Sequence, residues 1–287
     1  MAGVILRTAG GTLLFAIFLW LVRIDDYRVA GMMLTFPMLN GIGLVAAGEN
    51  AERLTKSMVP VITLNGAMCF LFASALVSWE TARAYPGTLT ALATALWVGV
   101  YAVLQARDVT FARSSSMLAY AAGCALASLA ATYWLWPACM AISGGTAVRP
   151  GGLAGVVEGW PTIVLFAASL AIAFGVAHSY QHAHAAIGRL AALPMVPLFG
   201  LYTVATVAAA DPEGLAKLEV MRSLVLIGWI IALVFVVALS HYVASTAFAP
   251  WGGFKRITAL FVGWALCLGC IVASAKVAAA VSACTSG

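Results

Sequence analysis

Charge in this chain is confined to short segments, and the long runs between them carry almost none. Met58–Ser78, Trp160–His178 and Leu224–Val243 contain no Asp, Glu, Lys or Arg. Each is about as long as the ~20 apolar residues that a helix needs to cross ~30 Å of hydrocarbon. In lipid, every backbone N–H and C=O must be paired within the protein, so an isolated run of this kind folds as a helix. Only 9% of the 287 residues are charged and 63% are hydrophobic. A soluble domain carries about 25% charged residues, so these charges are too few to build a water-soluble surface. The expected fold class is all-α, a polytopic helical membrane protein.

The runs are Val4–Val22, Ala30–Ala47, Met58–Ser78, Leu89–Leu104, Met117–Trp136, Trp160–His178, Leu190–Ala209, Leu224–Val243 and Ile257–Val281. They predict about nine transmembrane helices. The connectors hold most of the charge: Arg23–Arg28, Glu49–Lys56, Trp79–Pro86, Gln105–Arg113, Gln181–Arg189, Asp211–Arg222 and Ala249–Arg256. Pro137–Gly159 is different, being Gly-rich and nearly uncharged. The first run contains Arg7, has no small-residue cleavage site and is followed by further runs, so it reads as a span and not as a cleaved signal. The net charge of +5 is scattered and forms no basic face, so nucleic acid is not an expected partner. With the N-terminus cytoplasmic, Lys and Arg divide eight inside to seven outside. The positive-inside rule then sets no orientation, and the N-in choice rests on placing the Gly-rich loop outside.

Two stretches resemble one another. Gly31, Pro37, Met38 and Gly43 fall at the same spacing as Gly188, Pro194, Met195 and Gly200. Each set follows one apolar run and precedes a charged connector and two more runs. The implied plan is 1–115 as a first four-helix repeat, 116–159 as a linking helix with the Gly-rich loop, and 160–287 as a second four-helix repeat. A single linking span inverts the second copy, giving a 4+1+4 inverted repeat of the kind found in many secondary transporters.

Tyr27, Ala30-Gly31, Phe36-Pro37 and the charged turn after Gly48 resemble the GlpM-type bacterial inner-membrane proteins, which are small four-span proteins. Leu193-Pro194 and Asp211-Pro-Glu-Gly are similar to related four-span proteins in the second half. The sequence departs from that pattern at Met32, where the family has Leu, and at the Asn40-Gly41 step. The resemblance implies a multi-pass protein of the bacterial inner membrane and a link to exopolysaccharide production.

Four groups of residues carry candidate chemistry. Pro37 and Pro194, with Pro197 and Tyr202, lie inside apolar runs. A proline there removes one backbone hydrogen bond and frees a carbonyl, and matched broken helices in two halves point to a substrate site. The alternative is a kink that only improves packing. Asn40 and Asn65 are amides within apolar runs, able to bind a solute or ion, or to make an interhelical hydrogen bond. His178 and His182, followed by His184, share a helix face. They fit proton relay, metal binding or a plain wet interface. Asp25, Asp26 and Arg28 beside the first proline helix, and Arg189 beside the second, are candidates for proton coupling or gating. They also fit a self-neutralising surface turn.

Cys267 and Cys270 form a C-x-x-C within a run, with no second Cys or His pair to complete a metal set. No phosphate loop, G-x-S-x-G or H-E-x-x-H occurs, and no catalytic or metal site and no cofactor is expected. The expected function is a transporter or permease for a small solute or ion, by alternating access between two inverted repeats. The expected partners are the lipid bilayer and that solute, with self-association into a homo-oligomer left open. The alternative is a non-enzymatic membrane accessory protein of envelope polysaccharide production.

Overall fold

The computed structural model describes residues 27–140, 214–246 and 248–285, together with isolated helical positions among residues 5–20. All the regular structure among the described residues is helical. The helices are α1 (Tyr27–Met33), α2 (Met38–Ala47), α3 (Ala51–Ser78), α4 (Glu80–Ala84), α5 (Pro86–Ala106), α6 (Ser114–Met140), α7 (Gly214–Ser245) and α8 (Gly252–Thr285). A short 3-10 turn, Gly48–Asn50, joins α2 to α3.

Four stretches are long and apolar enough to cross a membrane: Gly48–Ser78, Pro86–Ala106, Gly214–Ser245 and Gly252–Ala280. They answer to four of the nine expected spans. The apolar run Ala30–Ala47 is not one helix. It is split into α1 and α2 by the segment Leu34–Pro37. Two connectors also change character. Asp211–Arg222 is helical from Gly214 on, and Trp79–Pro86 contains α4. A helix rises ~1.5 Å per residue, so the 32 residues of α7 extend about 48 Å. That exceeds ~30 Å of hydrocarbon, and the charged first turns with Lys217, Glu219 and Arg222 continue the helix beyond the apolar part.

α7 is the centre of the described fold. In its apolar window 67% of residues are buried, against 6% for α5. It packs against α1, α2, α3, α6 and α8. Two consecutive residues make its tightest joints. Gly228 lies against the backbone of Met32 in α1, where an added Cβ would stand 2.2 Å from the Met32 carbonyl oxygen. Trp229 lies on Gly66 of α3, and its indole N–H donates to the Ile62 carbonyl at 2.9 Å. On the α1 side, Gly31 presses on the Met221 backbone in the same way. Small residues let membrane helices approach this closely, and dispersion contacts then hold them without a hydrophobic driving force.

Polar backbone groups left over by irregularities are taken up locally. Pro60 sits inside α3 and has no N–H for the Lys56 carbonyl. The Phe111 N–H, from the loop after α5, donates to that carbonyl instead at 3.3 Å. At the other end of α3, the Arg83 guanidinium donates to the carbonyls of Leu76 and Val77 at 2.9 and 2.8 Å. This serves terminal carbonyls that the helix itself cannot pair. The Ser114 hydroxyl donates to the Glu52 carboxylate, tying the start of α6 to the start of α3.

Candidate functional site

The break at Leu34–Pro37 is where the apolar bundle is least regular. In a continuous helix, the residue-37 N–H would bond the Met33 carbonyl. Pro37 has no N–H, and the chain turns so that the Phe36 N–H takes that carbonyl at 3.0 Å. The Thr35 hydroxyl donates to the Met32 carbonyl at 3.2 Å. Pro37 then stands at the N-cap of α2, with no side chain capping the first turn. The first intrahelical bond of α2 runs from the Gly41 N–H to the Pro37 carbonyl at 2.9 Å. Leu34, Phe36 and Pro37 are buried. The irregular backbone is thus enclosed in protein, which is how lipid-depth breaks are tolerated.

Asn40, in the first turn of α2, is half-buried. Its neighbour Gly41 admits Leu260, Phe235 and Trp264 from α7 and α8. A Cβ at 41 would lie 2.6 Å from Leu260 Cδ1 and 3.2 Å from Trp264 Nε1. The Trp264 indole N–H is buried and has no hydrogen-bond partner among the described residues. The first turn of α2, next to the break, thus packs against α7 and α8.

Asn65 lies apart from the break and has a structural partner. Its Oδ1 accepts a hydrogen bond of 2.7 Å from Trp97 Nε1 of α5. Trp97 is buried and stacks on Tyr101 with ring centroids 5.2 Å apart. This is the interhelical hydrogen bond that was one of the two readings of Asn65. Arg28 sits in the first turn of α1, half-buried. Asp25, Asp26, His178, His182, Arg189, Pro194, Pro197 and Tyr202 lie outside the described residues.

Lys217 escaped the sequence reading because its segment reads as a connector. It is only 7% exposed, and its Nζ lies 5.6 Å from the centroid of the Tyr27 ring. A cation over an aromatic face within ~6 Å is an attractive contact. It joins the start of α1 to the start of α7. The contact register rises together on the two helices, from Tyr27 with Lys217 to Gly31 with Met221 and Met32 with Gly228. The signal for Lys217 was the helical spacing of Leu218, Met221 and Val225, which continues the apolar face of α7 past its charges.

Among the described residues, apolar grooves open along the side of the bundle in two places. One, about 430 Å³, runs between α3 and α5 and is lined by Met68, Phe72, Ala75, Trp79, Leu92 and Leu96 among others. The other, about 490 Å³, runs between α7 and α8 and includes Val234, Ala238, Tyr242, Val262, Leu266 and Cys270. Neither includes Asn40 or Asn65. Both cysteines of the C-x-x-C line the second groove, Cys267 buried and Cys270 exposed. No family model, curated protein or solved structure matches this chain.

Proposed function

We propose that the chain is a membrane permease for a small solute or ion, with its site at the Leu34–Pro37 break. The observation that carries the reading is the discontinuous helix itself. An uncapped half-helix end held inside an apolar bundle leaves backbone polar groups where a solute could exchange water for protein. Asn40, one turn into α2, supplies an amide beside it.

The 4+1+4 plan belongs to the same proposal, and three features support it. The third helices of the two expected copies, α3 and α7, pack directly on each other. The fourth helices, α5 and α8, are both peripheral, with 6% and 17% of their apolar windows buried. The two grooves occupy equivalent places, each between a third and a fourth helix. Access would alternate around the break by movement of one repeat against the other, pivoting on the interlocked α1, α3 and α7. Proton coupling through Asp25, Asp26 or His178 and gating by Arg28, His182 or Arg189 are parts of this proposal.

A flux assay in proteoliposomes tests it. Vesicles containing the protein and a trapped pH dye are challenged with gradients of protons, K⁺, Na⁺ and acetate, and with osmotic steps of glycerol. Wild-type vesicles are expected to show flux above protein-free vesicles for at least one of these. Pro37→Ala and Asn40→Ala should lower that flux with no loss of membrane expression. Wild-type flux from both variants would remove this site.

The second reading is a non-enzymatic accessory protein, like that implied by the resemblance to GlpM-type proteins. It is favoured by the Asn65–Trp97 bond and by the carbon-lined character of both grooves, which suit a solid bundle. Absence of wild-type flux over the whole panel would favour it.

A further inference from the structure

We propose that the groove between α7 and α8 seats an acyl chain of an anionic phospholipid, with the headgroup held at Lys255. The groove is open along its side, and the outer face of α8 bears exposed Phe254, Ile257, Phe261, Val262 and Leu266. A face of that composition on a membrane-crossing helix meets lipid. Lys255 shares a helix face with the groove residues Ala259, Val262 and Leu266, at spacings of four, seven and eleven. It is exposed and makes no ion pair among the described residues. His241, also exposed, is three residues from the groove residue Ala238 on α7. Tyr242 lies at the same end of the groove, and Trp251 is 83% exposed in the turn between the helices. Trp and Tyr at a helix end mark the headgroup level.

Along the chain, the turn from α7 into α8 carries charge of one sign. The segment 246–256 holds Lys255 and Arg256 and no Asp or Glu. Arg256 is engaged inward, with its guanidinium against Gly48 and its Nε donating to the Gly252 carbonyl at 3.1 Å. Glu49, an exposed acid, follows Gly48, the residue that faces the Arg256 guanidinium. Lys255 is left to face a headgroup. The groove between α3 and α5 makes an internal contrast. Its mouth carries Glu80 beside Arg83, and the Arg83 guanidinium is bonded to Leu76 and Val77. Among the described residues that groove has no uncommitted cation at this mouth, and it should not select for charge.

Native mass spectrometry of the purified full chain, titrated with phosphatidylglycerol or phosphatidylcholine, tests the assignment. The wild type should retain phosphatidylglycerol in preference to phosphatidylcholine. Ala238→Trp, which fills the groove, should abolish the preference, and Lys255→Gln should weaken phosphatidylglycerol retention by about five-fold, as expected for one surface cation. Ala75→Trp, in the other groove, should leave it unchanged. Equal retention of both lipids by the wild type would overturn the proposal. So would full preference in Lys255→Gln, a surface change that leaves the bundle packing untouched even where Ala238→Trp disturbs it.

Discussion

The joint between α1 and α7 can be tested by one added methyl group. Alanine at position 228 would place its Cβ 2.2 Å from the Met32 carbonyl oxygen and 2.6 Å from the Met32 Cα. Ordinary contact begins at 3.4 Å, so the helices must part by 3.4 minus 2.2, or 1.2 Å. The opposing atoms are backbone, so no side-chain rotation relieves the clash. Overpacking of this kind costs ~1–3 kcal/mol. Replacing Gly by Ala in a helix returns up to ~1 kcal/mol. Because the clash is with backbone, the upper end of that range applies, and Gly228→Ala should destabilise the fold by ~2 kcal/mol, a roughly thirty-fold shift in the unfolding equilibrium. Gly269→Ala is the control, because nothing lies within 4 Å of a Cβ there, and it should be neutral or slightly stabilising. Equilibrium unfolding in mixed maltoside–dodecyl sulfate micelles, followed by circular dichroism, reads both. If Gly228→Ala proves no less stable than the wild type, α1 does not seat on α7 as described. An equal loss in Gly269→Ala would mean that the effect comes from general helix disturbance and not from this contact.

Asn65→Ala and Trp97→Phe should each destabilise, and their double-mutant cycle in the same micelles should show a coupling of ~0.6–2 kcal/mol; additive losses would dismiss the hydrogen bond between them. Arg83→Ala should cost about 1 kcal/mol by leaving the Leu76 and Val77 carbonyls to water, with faster amide exchange confined to the last turn of α3 and to α4. Exchange unchanged there would show that the cap contributes nothing.

How much of this was legible in the sequence depended on the physical signal involved. Absence of charge is a property of composition, so Met58–Ser78 and Leu224–Val243 were readable as spans. Pro37 announced the break because its missing N–H is a local fact. The depth of burial was not readable. Leu224–Val243 and Leu89–Leu104 are both apolar all round, yet α7 is central and α5 is peripheral. Lipid and protein are equally apolar surroundings, so hydrophobicity alone does not separate them. The difference lies in Gly228 and Trp229, a small residue for close approach and an indole N–H that needs an acceptor. The boundary at Asp211–Arg222 misled for a related reason. Lys217, Glu219 and Arg222 read as a wet connector, but a helix can outrun the hydrocarbon and carry its charges in the headgroup layer. Asn65 looked as promising as Asn40. Only the Trp97 indole, 32 residues away in the chain, distinguishes them.

The packing of α7 also restricts how a permease built on this chain could move. Alternating access between two repeats ordinarily lets one half swing against the other across an interface that can slide. Here α7, from the second expected repeat, meets α1 of the first through backbone contacts at Gly31 and Gly228, and meets α3 through the Trp229 indole on Gly66 and the Trp229–Ile62 hydrogen bond. Interlocked surfaces of this kind have discrete arrangements and do not deform continuously. On the permease reading, the three helices are proposed to travel together or stay still together. Among the described residues, α5 and α8 are the peripheral spans, and α2 and α8 meet α7 through side chains, at Gly41 and Gly263, and not through backbone. A moving boundary that exposes Leu34–Pro37 to one side of the membrane then has to pass between α2 and α8, where Gly41 meets Leu260 and Trp264. It cannot run between α1 and α7. A disulfide or cross-link fixing α1 to α7 should leave flux intact, whereas one fixing α2 to α8 near Gly41 and Leu260 should stop it. The reverse outcome would place the moving interface inside the core and overturn the pivot.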